Sequence, residues 1–151
     1  MPTIFFGSDH AGFLKKKEAI DIIQSFNTNG KWEIKDLGCY SVESCDYPEF
    51  AFRVARNVLT TEGSFGVLLC GTGIGMSIAA NKMKGIKCAL CHNYSSVNMA
   101  RQHNNANIIA LSSRGSSGDM MVPLIMAFCK TEFEGGIHER RVNMIHNMEN
   151  S

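Results

Sequence analysis

No run of about 18 apolar residues occurs anywhere in the chain, so the sequence offers no membrane span. Charge of one sign is not in excess either. Fifteen Lys+Arg stand against fourteen Asp+Glu, a formal net charge of +1. A general nucleic-acid binder needs a basic stripe facing phosphates, and this balance argues against one. The first residues, Met1 to Gly7, lack a basic stretch and a full apolar stretch, so no secretory signal is expected. Linkers, internal repeats and low-complexity segments are missing as well. What is there is 151 residues, 44% of them hydrophobic and 19% charged. Those proportions fit one soluble domain over residues 1–151 with a single core.

Six cysteines sit at positions 39, 45, 70, 88, 91 and 129. A chain of this length and apolar content has no need of disulfide staples. Cys88 and Cys91 form a lone CxxC with no second pair, inside an apolar run that reads as a buried strand. Structural thiols are the expectation there, ahead of metal or redox use. Reduced thiols and no signal point to the cytoplasm.

Strand-like and helix-like segments alternate along the chain. Strands are expected at 3–7, 32–37, 65–70, 86–91 and 107–111. Helices are expected at about 11–26, 48–59, 74–83, 95–103 and 117–131, with a last one at about 139–149. Five strands each followed by a helix describe an α/β fold with a five-stranded, mainly parallel sheet. Such sheets bind ligands at the carboxyl ends of their strands. That rule selects the loops after the first, third and fourth strands.

The first loop carries Asp9 and His10 just before a helix. Asp9 can cap that helix and can also bind a sugar hydroxyl, and the two roles are compatible. The loop Cys70-Gly71-Thr72-Gly73-Ile74-Gly75 brings three glycines into five residues. Such a loop lets backbone N–H groups approach an anion. Its spacing is not GxGxxG, it follows the third strand, and no GK[ST] ends it, so a nucleotide site is disfavoured. What remains is an anion nest with a thiol at its lip, where a helix N-terminus favours the thiolate. Arg101 to Asn107 form a polar cluster, part of which is turn chemistry. His138, Arg140 and Arg141 sit at the start of the last helix, either as a solvated face or as phosphate ligands.

Five segments together resemble the ribose-5-phosphate isomerase B family of sugar-phosphate isomerases: SDHAG at 8–12, DYPEFA at 46–51, CGTGIGMSIAANK at 70–82, RQHNNAN at 101–107 and GGIHERRV at 135–142. Their order and spacing cover essentially the whole chain. The resemblance implies a Rossmann-like three-layer sandwich and a homodimer with active sites at its interface, with pairing into tetramers left open. It implies interconversion of ribose 5-phosphate and ribulose 5-phosphate through an enediolate, with no metal and no cofactor.

By motif position, the resemblance implies that Cys70 is the base moving a proton between C1 and C2. Some relatives use a glutamate where this chain has Met76. Thr72 and the amides of Gly71, Gly73, Ile74 and Gly75 would steady the enediolate. His103 would help open the furanose ring. Asp9 would hold substrate hydroxyls, and Asn104 would bind substrate. His10, Arg114 and Arg141 would meet the phosphate, and His138 would share ring opening or phosphate contact. The family often has arginine where this chain has Ile137. That departure keeps a 6-phosphohexose isomerase, acting on allose or galactose 6-phosphate, as the nearest rival. A non-catalytic sugar-phosphate binding module and a thiol-redox protein are weaker alternatives.

Overall fold

Three apolar runs form the centre of the sheet: β1 (Thr3–Ser8), β3 (Phe65–Cys70) and β5 (Ile108–Ser112). Successive side chains of a strand point to opposite faces, so a continuous apolar run must be covered on both sides. Phe6, Leu69 and Ile109 enter one core, and their neighbours Phe5, Leu68 and Ile108 enter the other. Residues 1–151 are all described in this computed structural model. Two shorter strands, β2 (Glu33–Asp36) and β4 (Cys88–Leu90), complete a sheet of order β2-β1-β3-β5-β4. Every neighbouring pair is parallel.

The first core is closed by α1 (Phe13–Phe26), α4 (Tyr94–Gln102) and α5 (Gly118–Lys130), through Ile23, Val97, Ile125 and Phe128. The second is closed by α2 (Tyr47–Thr60) and α3 (Ile74–Ala80), through Phe50, Val54, Met76 and Ala80. The result is the three-layer α/β sandwich expected. Burying a Leu, Ile or Phe side chain contributes about 1.5–3 kcal/mol. Local signals set the helix starts. Pro48 lies in the first turn of α2, where a missing N–H costs nothing. Asn93 and Ser96 form a reciprocal capping box on α4.

Two strands are shorter than expected. Only Cys88–Leu90 of the apolar run at 86–91 pairs, and its residues are half-buried. It is an edge strand with β5 as its single neighbour. On the other edge, β2 covers 33–36 rather than 32–37. The last helix, α6 (Ile137–Glu149), buries only Val142 and meets the loop before β4 through Glu149, which accepts the Gly85 N–H at 3.1 Å, and His146, 3.2 Å from Lys87 Nζ.

The sequence gives no warning of Lys16, which is fully buried in α1. Its Nζ donates to Asp36 Oδ1 and to the Cys39 carbonyl, both at 2.6 Å. Asp36 Oδ1 also accepts from the Gly38 N–H at 3.0 Å. One buried ammonium thereby ties α1 to the end of β2 and to the loop that follows.

Candidate active site

In an all-parallel sheet the carboxyl ends of the strands share one edge. Here β1 and β3 lie side by side, and their following helices α1 and α3 pack on opposite faces. A crevice opens where connections diverge in this way. It holds a cavity of about 440 Å³ lined by Asp9, Tyr47, Cys70, Thr72, Gly75 and Arg114, among others.

Asp9 is buried, and its Oδ1 accepts from the Gly12 N–H at 3.1 Å. The carboxylate thus tightens the entry to α1, although Gly12 occupies the cap position itself. Its other oxygen is left for a ligand. His10 accepts the Cys45 N–H on Nδ1 at 3.2 Å. The proton of its ring therefore sits on Nε2, which becomes a donor.

Cys70 ends β3, and its Sγ accepts the Gly73 N–H at 3.1 Å. That bond depends on the left-handed backbone of Gly73, at φ 79°. An L side chain is strained at that φ, and a Cβ at Gly73 would also stand 3.0 Å from the Leu111 carbonyl carbon, so glycine is favoured there. Thr72 Oγ1 accepts the Ile74 N–H at 3.2 Å, which leaves its own O–H to donate outward. Met76 is fully buried in the second core and does not line the cavity. Tyr47 was given no role by the sequence, although it lies inside the DYPEFA segment. Its ring covers Gly75 so closely that a Cβ there would stand 2.5 Å from it.

The remaining wall follows β5, not β4 as the order of strands in the chain suggested. β5 is inserted between β3 and β4, which moves the β4 loop away from the crevice. Ser113 N–H donates to the Cys70 carbonyl at 2.9 Å, and Arg114 N–H to the Gly71 carbonyl at 3.2 Å. These bonds bring the Arg114 side chain to the cavity beside the thiol.

A second group of candidate residues gathers elsewhere. Arg101 is buried, and its Nε donates to the Thr131 carbonyl at 3.0 Å while Nη1 donates to the Ala106 carbonyl at 2.6 Å. Burial pulls its pKa below the usual guanidinium value. The Glu134 N–H donates to the Gln102 carbonyl at 3.0 Å. Together these bonds hold the segment before α6 against the end of α4. His103 and His138 then stack with ring centroids 4.2 Å apart and planes 9° apart. Glu134 Oε1 lies 3.7 Å from His103 Nε2 and 3.5 Å from His138 Nε2. Arg141 is exposed on α6, one turn beyond His138.

Within one chain the two groups do not meet. His103 and Asn104 precede β5, whereas Arg114 follows it. The five residues of β5 span roughly 16 Å from the amino to the carboxyl end of the strand. Asn104 instead lines a larger cavity of about 720 Å³ beneath α6, with Ile86, Met144, Ile145 and Met148. That groove is mostly apolar and contains neither Cys70 nor Arg114, so size alone does not mark the reactive centre.

All six cysteines are unpaired. Burial pushes the Cys88 and Cys91 thiols upward, and Cys129 up to about 12. A raised thiol is a poor metal ligand and a poor nucleophile, in line with a packing role for the CxxC pair.

A family model described as ribose/galactose isomerase matches residues 4–145. The ribose-5-phosphate isomerase B of Escherichia coli (strain K12) is 40% identical over 149 residues, covering 99% of this chain and 97% of that one. A probable ribose-5-phosphate isomerase B of Mycoplasma genitalium is 41% identical, covering 95% of this chain and 93% of that one. Among solved structures, that of the Clostridium thermocellum ribose-5-phosphate isomerase B has a TM-score of 0.89 at 40% identity, covering 98% and 97% of the two chains. The Mycoplasma genitalium enzyme with bound ribulose-5-phosphate has a TM-score of 0.88 at 38% identity, covering 99% and 97%.

Proposed function

We propose that this chain, which belongs to the ribose/galactose isomerase family, interconverts ribose 5-phosphate and ribulose 5-phosphate in the pentose phosphate pathway. The observation that carries the reading is the crevice at β1 and β3, where a thiol, a buried carboxylate and an arginine converge on one cavity. Enolisation needs a base at the α-carbon, donors for the developing oxyanion and a group that opens the sugar ring.

Cys70, as thiolate, takes the proton from C2 of the open aldose. Negative charge develops on the oxygen at C1 as the enediolate forms, and the proton of the C2 hydroxyl passes to that oxygen. Cys70 then returns its proton to C1, and C2, its hydroxyl proton already passed to the C1 oxygen, becomes the ketone. The electron pair stays within the sugar, so no external oxidant or reductant enters. Thr72 and the amides of the Gly71–Gly75 loop donate to the oxygens while charge develops on them. Asp9 holds a substrate hydroxyl. Arg114 and the Nε2–H of His10 face the phosphate.

His103, Asn104, His138 and Arg141 belong to the same reaction only if a second copy supplies them. A homodimer with two composite sites is therefore part of the proposal. Its support is the split of one motif set across opposite ends of the strands. Ile137, Met144, Ile145 and Met148 on α6 are also more than half exposed, an apolar strip that a second chain would cover. Six unpaired thiols fit a reducing compartment, and the cytoplasm is proposed on that ground.

The test is turnover of ribose 5-phosphate by purified protein in the presence of chelator. Ribulose 5-phosphate should appear with kcat/KM at least tenfold above that for 6-phosphohexoses. Ile137 supports a second reading, because an apolar residue in place of the arginine that the resemblance leads one to expect removes a phosphate contact and bears on the preferred sugar length. A tenfold preference for a 6-phosphohexose would establish that reading instead. Binding of sugar phosphate without turnover would leave a non-catalytic module.

A further inference from the structure

We propose that His103, His138 and Glu134 form a binding site for a divalent transition-metal ion, with Zn²⁺ the best fit, and that the ion blocks rather than assists isomerisation. The ligand atoms of the three side chains lie within 4.8 Å of one another. The carboxylate oxygen is 3.7 Å from one imidazole nitrogen and 3.5 Å from the other. Ligands about 2.0–2.1 Å from a tetrahedral ion stand roughly 3.4 Å apart. Two of the three edges are therefore within a few tenths of an ångström of ligand spacing. Two imidazoles and one carboxylate with an open fourth position are a donor set that Zn²⁺ uses widely.

The three residues are held before any ion arrives. His103 caps α4, Glu134 is bonded to the same helix end through its N–H, and His138 lies in the first turn of α6. Arg101 fastens the two segments from beneath. Little backbone ordering is left to oppose binding. The rings lie 9° from parallel with centroids 4.2 Å apart, so one ion cannot lie in both ring planes at once. Binding must open that stack and turn both lone pairs toward the ion. An occupied site fixes His103 Nε2 in a metal bond and removes it from proton transfer to a sugar oxygen. This consequence rests on the ring-opening role proposed for His103, whereas the binding itself does not.

Co²⁺ titration of the purified enzyme separates the two claims. One Co²⁺ per chain should give visible absorption of a four- or five-coordinate ion, without the near-ultraviolet band of a cobalt thiolate. Zn²⁺ should displace it. His138→Asn and Glu134→Gln should each weaken binding by about tenfold or more, since even supporting residues around a metal contribute that much. Zn²⁺ should slow turnover of ribose 5-phosphate over the range in which it displaces Co²⁺, and chelator should restore the rate. Absence of the absorption, its persistence in both variants, or a thiolate band overturns the site. Saturated binding with undiminished turnover overturns the block, and with it the role given to His103.

Discussion

At the scale of single residues, Ile137, where the resemblance leads one to expect arginine, is the most informative position. Its side chain is 54% exposed at the first residue of α6, one turn before Arg141. An arginine there would add a charge-assisted contact to a phosphate dianion, which contributes roughly 1.5–3 kcal/mol. With that contact absent, Arg141 should matter more. Arg141→Ala should raise KM for ribose 5-phosphate by about tenfold or more, because 1.4 kcal/mol is a factor of ten. Ile137→Arg should lower the same KM and act less on an unphosphorylated sugar. Steady-state kinetics on the two sugars reads both effects. Unchanged KM in Arg141→Ala would mean that the phosphate lies elsewhere. Most residues of the crevice were legible in the sequence, because glycine spacing and an adjacent thiol carry chemistry by type alone. Tyr47 and Arg101 were not. An aromatic at a helix start and an arginine in a helix end look like ordinary packing and surface residues until their partners are known.

At the scale of elements, the sheet and helices followed from apolar runs and turn residues, while the lateral order of the strands did not. Periodicity says which face of a strand is buried, but it does not say which strand lies beside it. The insertion of β5 between β3 and β4 is a long-range choice, and it moved one wall of the cavity from the β4 loop to the β5 loop. Lys16 is a similar case. Its cationic type pointed to solvent, yet it anchors the loop that carries Cys39. Removing the buried ammonium leaves the Asp36 carboxylate with only the Gly38 N–H and takes the Lys16 donor from the Cys39 carbonyl. Breaking a buried pair from one side costs about 3 kcal/mol or more, reduced somewhat here because the Asp36 side chain keeps 33% exposure. Lys16→Ala should therefore lower the urea midpoint strongly with little change in m. A loss below about 1 kcal/mol would show that water replaces the contact.

At the scale of the whole molecule, buried thiols couple folding to alkaline pH. Burial holds Cys129 protonated, up to about 12 against an ordinary 9.0. In the unfolded chain the same thiol ionises near its ordinary value. Its contribution to stability is fully present below about pH 9 and is lost as pH rises toward the folded value. In that window one such thiol lowers the unfolding free energy by about 1.4 kcal/mol per pH unit. Cys129→Ala should flatten the decline between pH 9 and pH 11 by about that slope, whatever it does to stability at neutral pH. Equal slopes in the two proteins would mean that the Cys129 thiol already meets water in the folded state. Redox use of Cys88 and Cys91 is disfavoured on the same physical ground, since burial raises both.

The central claim is that each active site draws Cys70 from one chain and His103 from another, because a single chain holds them at opposite ends of its strands. Cys70→Ala and His103→Asn should each lose roughly 10²–10⁴-fold in turnover of ribose 5-phosphate, the usual contribution of a positioned acid or base. The decisive measurement is the activity of the two variants co-assembled in equal amounts. About half of random dimers are hybrids, and each hybrid holds one site with both residues intact. The mixture should therefore recover about a quarter of wild-type kcat, while its hybrids carry one intact site and one doubly altered site. A mixture no more active than its two parents would show that each site is built within one chain.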